Sequence, residues 1–403
     1  MKIGILTQYY PPEIGAPQAR FSVLVERLLK DGHKVFVLTA MPSYPKGRIY
    51  PGYGGLFRRE EEKGAVVLRT YIHPTRRLSV LSRLSNYSSF AFSSLVAGAF
   101  CLPRLDYLIT ESPPLPLALS GFLLSCLKGA RWIFNVSDLW PESFVRLGLI
   151  EDGWLLHAMC LLESFSYKKA WLLTGQSKEI LEHAKRRIPG ISAYHFSNSV
   201  DTGKFAPELR TQDIRDSIAK GRGCIALYAG LHGFAQGLDQ ILKAAARLKD
   251  LNDLCIVFAG EGPDKKRLVE MAGSEGISNV RFVDARPHDD MPALLASADI
   301  AVITLKTKLP GAVPSKIYEA MASGVPIVLA ASGEAADIIK EAKCGISVPP
   351  QDTEALAAGL RELAGDAARR KELGANGRRS AESRFDRRVI CDKFIDYLQY
   401  RKI

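Results

Sequence analysis

The stretch Gly311 to Val328, GAVPSKIYEAMASGVPIV, combines a Gly/Pro loop, a helix start carrying a cation, and a carboxylate one turn later. Pro314 suits a first helical turn, and Ile317, Tyr318, Ala320 and Met321 continue with a helical apolar rhythm until Gly324 and Pro326 stop it. Unpaired N–H groups at such a helix start, with the positive end of the dipole, favour an anion, and Lys316 adds a full charge. A diphosphate fits that description. Glu319 shares the helical face of Lys316, where a carboxylate can accept two hydrogen bonds from a vicinal diol such as a ribose. Phosphate plus diol predicts a nucleotide. The competing reading is structural: an amphipathic core helix followed by a buried strand, Val325 to Ala330.

Outward from that stretch, short apolar runs alternate with longer helical patterns, the signature of parallel α/β units. Ile3 to Leu6 and Lys34 to Leu38 are predicted strands flanking a helix from Pro17 to Lys30, which Gly32 closes. Tyr107 to Thr110, Trp132 to Val136 and Leu172 to Gly175 read as further strands. A second series runs through Cys224 to Ala229, Leu254 to Ala259, Val280 to Val283, Ile300 to Ile303, Ile327 to Leu329 and Gly345 to Val348. The expected fold class is therefore α/β, with two doubly wound, Rossmann-like halves parted by the polar segment Asn198 to Phe205. This gives an amino-terminal domain over 1–199, a carboxyl-terminal domain over 200–383, and a final segment over 384–403. Ligands of such sheets sit beyond the carboxyl ends of the strands, so two facing halves are expected to close their loops around an interdomain cleft.

At 403 residues, with 24% charged and 47% hydrophobic residues, the chain is globular and too long for one ordinary core. Seven cysteines are scattered singly with no CxxC pair, which reads as thiols in a reducing compartment. The amino terminus runs straight into an apolar strand without a basic, apolar and cleavable leader, so a cytoplasmic location is expected. Net charge is +11, of which residues 1–199 carry +9 and the remainder +2. Arg58, Arg59, Lys63, Arg69, Arg76, Arg77 and Arg83 cluster beside the apolar run Phe90 to Leu102. Basic residues beside an apolar helix suit an anionic membrane surface, here the inner face of the plasma membrane, with the protein peripheral to it. That run and Leu115 to Leu127 are both shorter than the roughly 20 residues needed to span a bilayer, and both also suit buried helices. A nucleic-acid partner is not expected, because zinc spacing, a basic zipper and a stacking aromatic ladder are all missing.

Six segments in order carry a family resemblance: Gln8-Tyr-Tyr-Pro-Pro-Glu-Ile-Gly-Ala-Pro-Gln-Ala-Arg20, Asp138-Leu-Trp-Pro-Glu-Ser143, Asn198 to Phe205, Tyr228-Ala-Gly-Leu-His-Gly-Phe-Ala-Gln-Gly-Leu-Asp239, Gly260-Glu-Gly-Pro263 and Pro314 to Ala322. Over nearly its whole length the chain resembles the retaining glycosyltransferases of family 4, which have the two-Rossmann-domain GT-B fold. Within them it is most similar to the bacterial amino-sugar transferases of the O-antigen and capsule fucosaminyltransferase type. The resemblance implies a UDP-sugar donor, and no cofactor or metal. It places Gly15 in a first glycine loop facing the diphosphate and acceptor, and Gly230 to Gly233 in a second that closes on the donor. It assigns Glu319 to the ribose and the segment Val283 to Arg286 to the base. It also brings Gly311, Ala312, Pro314, Ser315 and Lys316 to the nucleotide sugar, with Asp138 positioning an acceptor or donor hydroxyl. Glu13 and Arg20 are candidates for acceptor phosphate or for capping the next helix, and His232 for entering the cleft. The final segment, Arg384 to Ile403, resembles the family helix that crosses back to the amino-terminal domain.

The departures are informative. Most members of the family have two carboxylates with seven residues between them, and here the first position is Gly311, so only Glu319 remains. An Arg and a Lys common in the second glycine loop read Leu231 and Gln236, which leaves Lys316 as the obvious substitute. The implied reaction is metal-independent transfer with retention to a polyprenyl-diphosphate-linked saccharide. In it the leaving diphosphate accepts the acceptor proton on the same face, and the protein supplies position and charge complementarity. A UDP-amino-sugar 2-epimerase shares the architecture, and a non-catalytic partner of a membrane transferase complex would also explain Gly311, Leu231 and Gln236. His33 reads as a turn residue, His73 and His288 lack ligand spacing, and Gly260 to Pro263 lacks the third glycine of a dinucleotide fingerprint.

Overall fold

The computed structural model describes residues 1–13, 15–75, 80–146, 153–221 and 223–401, and the chain divides into Met1–Ser197 with Ile390–Ile403 (unit 1) and Asn198–Val389 (unit 2). Unit 1 contains β1 (Lys2–Leu6), β2 (Lys34–Ala40), β3 (Phe57–Glu62), β4 (Ala65–Thr70), β5 (Tyr107–Ser112), β6 (Arg131–Val136), β7 (Leu172–Gly175) and β8 (Ala193–His195). They form one sheet in the order β3-β4-β2-β1-β5-β6-β7-β8. Neighbours are parallel except β3 and β4, which pair antiparallel. The central strands are buried on both faces, which is why they were legible as continuous apolar runs. Strand β3, Phe-Arg-Arg-Glu-Glu-Glu, has no apolar alternation and was not expected. It is the sheet edge, where charge discourages pairing with another chain.

That hairpin also corrects the expected basic cluster. Arg69 is fully buried and donates to the carboxylates of Glu60 at 2.7 Å and Glu62 at 2.8 Å, and Arg58 pairs with Glu60 at 2.6 Å. The Arg69 charge, expected to face a partner, is neutralised inside the hairpin, while Arg58 is exposed and paired. Arg76 and Arg77 lie outside the described residues, as does Ile14 of the first glycine loop.

The two apolar runs lie on helices Val80–Cys101 and Leu117–Lys128, and no described helix is long and apolar enough to cross a membrane. Each helix buries one face and exposes the other. Gly98 lets the pair approach: a Cβ there would lie 2.8 Å from Leu124 Cδ1. Outward, Phe92, Val96 and Phe100 form one exposed stripe at four-residue spacing, and Leu119, Leu123 and Leu127 form another.

Unit 2 contains β9 (Cys224–Ala229), β10 (Leu254–Ala259), β11 (Val280–Val283), β12 (Ile300–Thr304), β13 (Ile327–Ala330) and β14 (Gly345–Val348), all parallel, in the order β11-β10-β9-β12-β13-β14. This is the doubly wound dinucleotide-fold order, and it reverses between β9 and β12. The chain returns to unit 1 at Ile390, later than the Arg384 expected from the sequence. Phe385 still packs on Tyr318 of unit 2 at 4.9 Å between ring centres. From Ile390 onward the helix Arg387–Tyr400 buries Cys391, Phe394, Ile395 and Leu398 in the core of unit 1, with Phe394 stacked on Phe196.

Candidate nucleotide-sugar site

At the reversal point of unit 2, the loop after β9 meets the helix Lys316–Ala322. Strand β9 leaves Ala229 through Gly230, whose φ of 134° belongs to the region glycine favours. The Lys316 Nζ donates to Tyr228 Oη at 2.7 Å and lies 4.0 Å from the centre of that ring, while Tyr228 Oη donates to the Leu231 carbonyl at 2.6 Å. A Cβ at Gly230 would sit 2.6 Å from Lys316 Cε and 2.7 Å from Nζ, so any other residue would displace the ammonium. Lysine, tyrosine and glycine loop therefore form one interlocked group.

Burial pushes the half-buried Lys316 ammonium down to about 8, and Glu319 opposes that shift. Burial raises the Glu319 carboxyl above its usual range, with Lys316, His288 and Arg387 pulling it back. Each of the two favours the charged form of the other. Burial keeps the Tyr228 hydroxyl protonated, so it remains able to donate. The helix begins at Lys316 with Ser315 as its cap, so Pro314 precedes the helix instead of opening it. Its seven residues make a weak dipole, and the charge at this point is that of the lysine side chain. Ala312 donates its N–H to the Leu309 carbonyl, and the Pro314 and Ser315 carbonyls accept from Ile317 and Tyr318. Gly311 is buried with φ at 74°, a backbone in which a carboxylate side chain would be both strained and desolvated.

His232 is a correction. Its ring is fully buried among Tyr228, Phe258 and Phe282 and cannot touch a reactant where it stands. Burial lowers it to about 4, leaving it neutral. Its backbone bridges to the next loop, donating to the Glu261 carbonyl at 2.8 Å and accepting from Asp264 N–H at 3.0 Å. It is a positioning residue. Gly233 opens the short turn Phe234–Gln236, and Leu231 and Phe234 are exposed. Val283 ends β11, two strands from the reversal, where its carbonyl accepts from Gly260, and Arg286 donates to Ser217 Oγ at 3.0 Å.

In unit 1 the reversal lies between β1 and β5, and a polar network is buried beneath it. Arg20, 3% exposed, donates to Glu111 at 2.9 Å, Ser137 at 2.7 Å and Gln176 at 3.1 Å. Asn135 and Ser137 also donate to Glu111. Arg20 is thus committed to the interior, where neither of its expected roles, acceptor phosphate or helix cap, is available to it. Glu13, also 3% exposed, accepts from the Ser43 and Tyr44 N–H groups at 2.8 Å each, and burial raises its carboxyl to about 7. Asp138 follows β6 and is exposed as a residue, while desolvation of its carboxyl, and then Glu111, raises that group, with Arg20 opposing. Gly15 caps the helix Ala16–Lys30 at φ 174°, extended backbone open to any residue.

The sequence gives Tyr228 no role and does not single out Glu111. Its one signal was a carboxylate inside the strand Tyr-Leu-Ile-Thr-Glu-Ser. Among the described residues, no three His, Cys, Asp or Glu side chains come together as a metal-binding group.

Comparison with known proteins places this geometry in a family. Residues 15–191 match the family described as "Glycosyl transferase 4-like domain" and residues 210–380 that described as "Glycosyl transferases group 1". The chain is 29% identical over 383 residues, 90% of its length and 92% of the relative's, to the "Putative colanic acid biosynthesis glycosyl transferase WcaI" of Escherichia coli K12. Among solved structures it is similar to sucrose-phosphate synthase of Thermosynechococcus elongatus, at TM-score 0.79 and 17% identity over 99% of this chain and 98% of that one. Anabaena Alr3699/HepE, solved with UDP and glucose, gives TM-score 0.71 and 16% identity over 99% of both chains. With two α/β parallel-sheet units and a family match in each, the chain belongs to the group 1, family 4-like glycosyltransferases and has their GT-B fold.

Proposed function

We propose that the chain transfers a sugar, an N-acetylamino sugar by its resemblance, from a UDP-sugar to a polyprenyl-diphosphate-linked saccharide in surface polysaccharide synthesis, with retention at the anomeric carbon. The observation that carries this reading is the Lys316 ammonium, held by Tyr228 against the Gly230 loop at the strand reversal of unit 2. There Lys316 meets the diphosphate and Glu319 the ribose diol, with Gly311 to Ser315 and Gly230 to Gly233 as backbone walls. The bond from C1 to the diphosphate breaks as the acceptor oxygen bonds C1 on the same face, and the acceptor proton passes to the departing phosphate oxygen. Exposed Asp138, with its raised carboxyl, orients the hydroxyl. Support comes from the relative named for colanic acid biosynthesis and the neighbour solved with UDP.

A thermal-shift screen of UDP, GDP, ADP and dTDP sugars tests the donor. At a hundredfold excess over Kd the correct donor adds about 2.7 kcal/mol to unit 2, a rise of several degrees. The largest rise is expected with UDP-linked N-acetylamino sugars. A larger one with GDP-sugars reassigns the base, and no rise with any donor removes the reading.

The exposed stripes on helices Val80–Cys101 and Leu117–Lys128 favour a peripheral position on the cytoplasmic membrane face. Phe100 is 86% exposed and Leu127 63%, so a lipid surface would cover apolar area that water now meets. With Arg58 and Arg69 already paired, apolar insertion carries more of the attraction than charge. Phe100→Glu is expected to weaken binding to anionic vesicles about tenfold or more, since a buried phenylalanine contributes about 1.5–3 kcal/mol. Co-sedimentation unchanged by that substitution, yet abolished by salt, would return the docking to electrostatics alone.

A further inference from the structure

Unit 1 carries a cavity of about 330 Å³ whose walls include Gln8, Tyr9, Tyr44, Arg83, Asn86 and Tyr87, none of which the donor chemistry uses. Its size, at the lower end for small-molecule sites, suits one monosaccharide. The walls offer what a pyranose needs. Tyr9 and Tyr44 stand edge to face at 5.3 Å, and Tyr44 is half exposed, giving flat apolar surface for the C–H face of a sugar. Burial keeps the Tyr9 and Tyr87 hydroxyls protonated and able to donate. Gln8 donates through Nε2 to Asn86 Oδ1 at 3.1 Å, and Asn86 donates to the His73 carbonyl at 2.7 Å, which fixes both amides. Among the described residues the Gln8 Oε1 has no hydrogen-bond partner, on a side chain only 3% exposed. A buried acceptor in that state has capacity for a further donor, and a sugar hydroxyl is one.

The cavity is pre-formed on its loop side. Glu13 holds the Ser43 and Tyr44 N–H groups, and Tyr50 Oη donates to the Tyr44 carbonyl at 2.6 Å. Among the described lining residues Arg83 is the sole basic or acidic one, which gives the walls a positive charge.

We propose that this cavity binds an acidic pyranose, a sugar unit of the acceptor bearing a carboxylate or phosphate, with Arg83 meeting the anion, Gln8 a hydroxyl, and Tyr44 the ring face. The proposal rests on the glycosyltransferase reading and adds the acceptor's charge to it.

Saturation-transfer NMR on the full chain, with glucuronate, glucose 6-phosphate and glucose as probes and UDP binding measured in the same samples, tests it. At least one acidic probe is expected to bind about tenfold more tightly than glucose, the difference a charge-assisted hydrogen bond makes. Whether glucuronate or glucose 6-phosphate leads assigns carboxylate or phosphate. Arg83→Gln is expected to erase the preference while UDP binding stays unchanged, which also shows that the variant is folded. Equal binding of acidic and neutral probes, a preference that survives Arg83→Gln, or no saccharide binding beside normal UDP binding overturns the cavity assignment and spares the donor reading. Loss of UDP binding by the unaltered chain overturns that reading itself.

Discussion

Lys316→Ala is expected to lower the rate of sugar transfer by about 10²–10³-fold, the usual cost of removing one preorganised donor from charge that develops in a transition state. The fold should survive. The ordinary lysine value of 10.5 falls to about 8 in unit 2, so at neutral pH the folded state holds an ammonium it would more readily release, and deleting that charge removes a burden. A pH series separates this role from simple packing. Below about pH 8 the group is charged and attracts the diphosphate; above it the amine is neutral, and UDP affinity falls as pH rises. Bound diphosphate stabilises the ammonium and moves that loss upward in the complex. Lys316→Arg, charged throughout, should flatten the profile even where its longer fork fits the Tyr228 contact poorly. Near-normal transfer by Lys316→Ala, or a profile that Lys316→Arg leaves unaltered, would remove this residue from the mechanism.

What the sequence disclosed follows from the range of the interactions involved. Strands β9 and β10 read to the residue because a buried parallel strand needs a continuous apolar run, a local property. Lys316 and Glu319 were legible together because one helical turn relates them. The Tyr228 that aims the lysine was not, since β9 and the helix are joined only by the order of strands in the sheet. His232 failed for a related reason: its place in a glycine loop predicted access, and only Phe258 of β10 and Phe282 of β11 show that the ring is sealed. Charge counting misled in the same manner. Arg69 counts as one of seven clustered cations in the sequence, but the carboxylates that silence it face it across a hairpin whose first strand carries no apolar signal. The cavity around Gln8 draws its walls from three separate segments, so no window of sequence contains it.

Arg20→Ala is expected to destabilise unit 1 by about 3–5 kcal/mol, because it strands the fully buried Glu111 carboxylate without its cation. The tryptophans make this measurable: Trp132, Trp140, Trp154 and Trp171 are all in unit 1, so their fluorescence in a urea titration follows that unit alone. The pH dependence identifies the cause. Burial already raises Glu111 above its ordinary 4.5, with Arg20 the foremost opposing influence, and losing Arg20 raises it further. A carboxyl whose folded value is raised favours folding most fully below its unfolded value, and that advantage is lost as pH rises through the folded one. The deficit of Arg20→Ala should therefore be smallest in acid and grow toward neutral pH. Adding Glu111→Gln should recover much of it, since a neutral amide keeps partners in Asn135 and Ser137 without a charge to desolvate. A loss of equal size at every pH, untouched by Glu111→Gln, would mean that Arg20 acts through its packing against Phe21 and Phe196 and not through the ion pair.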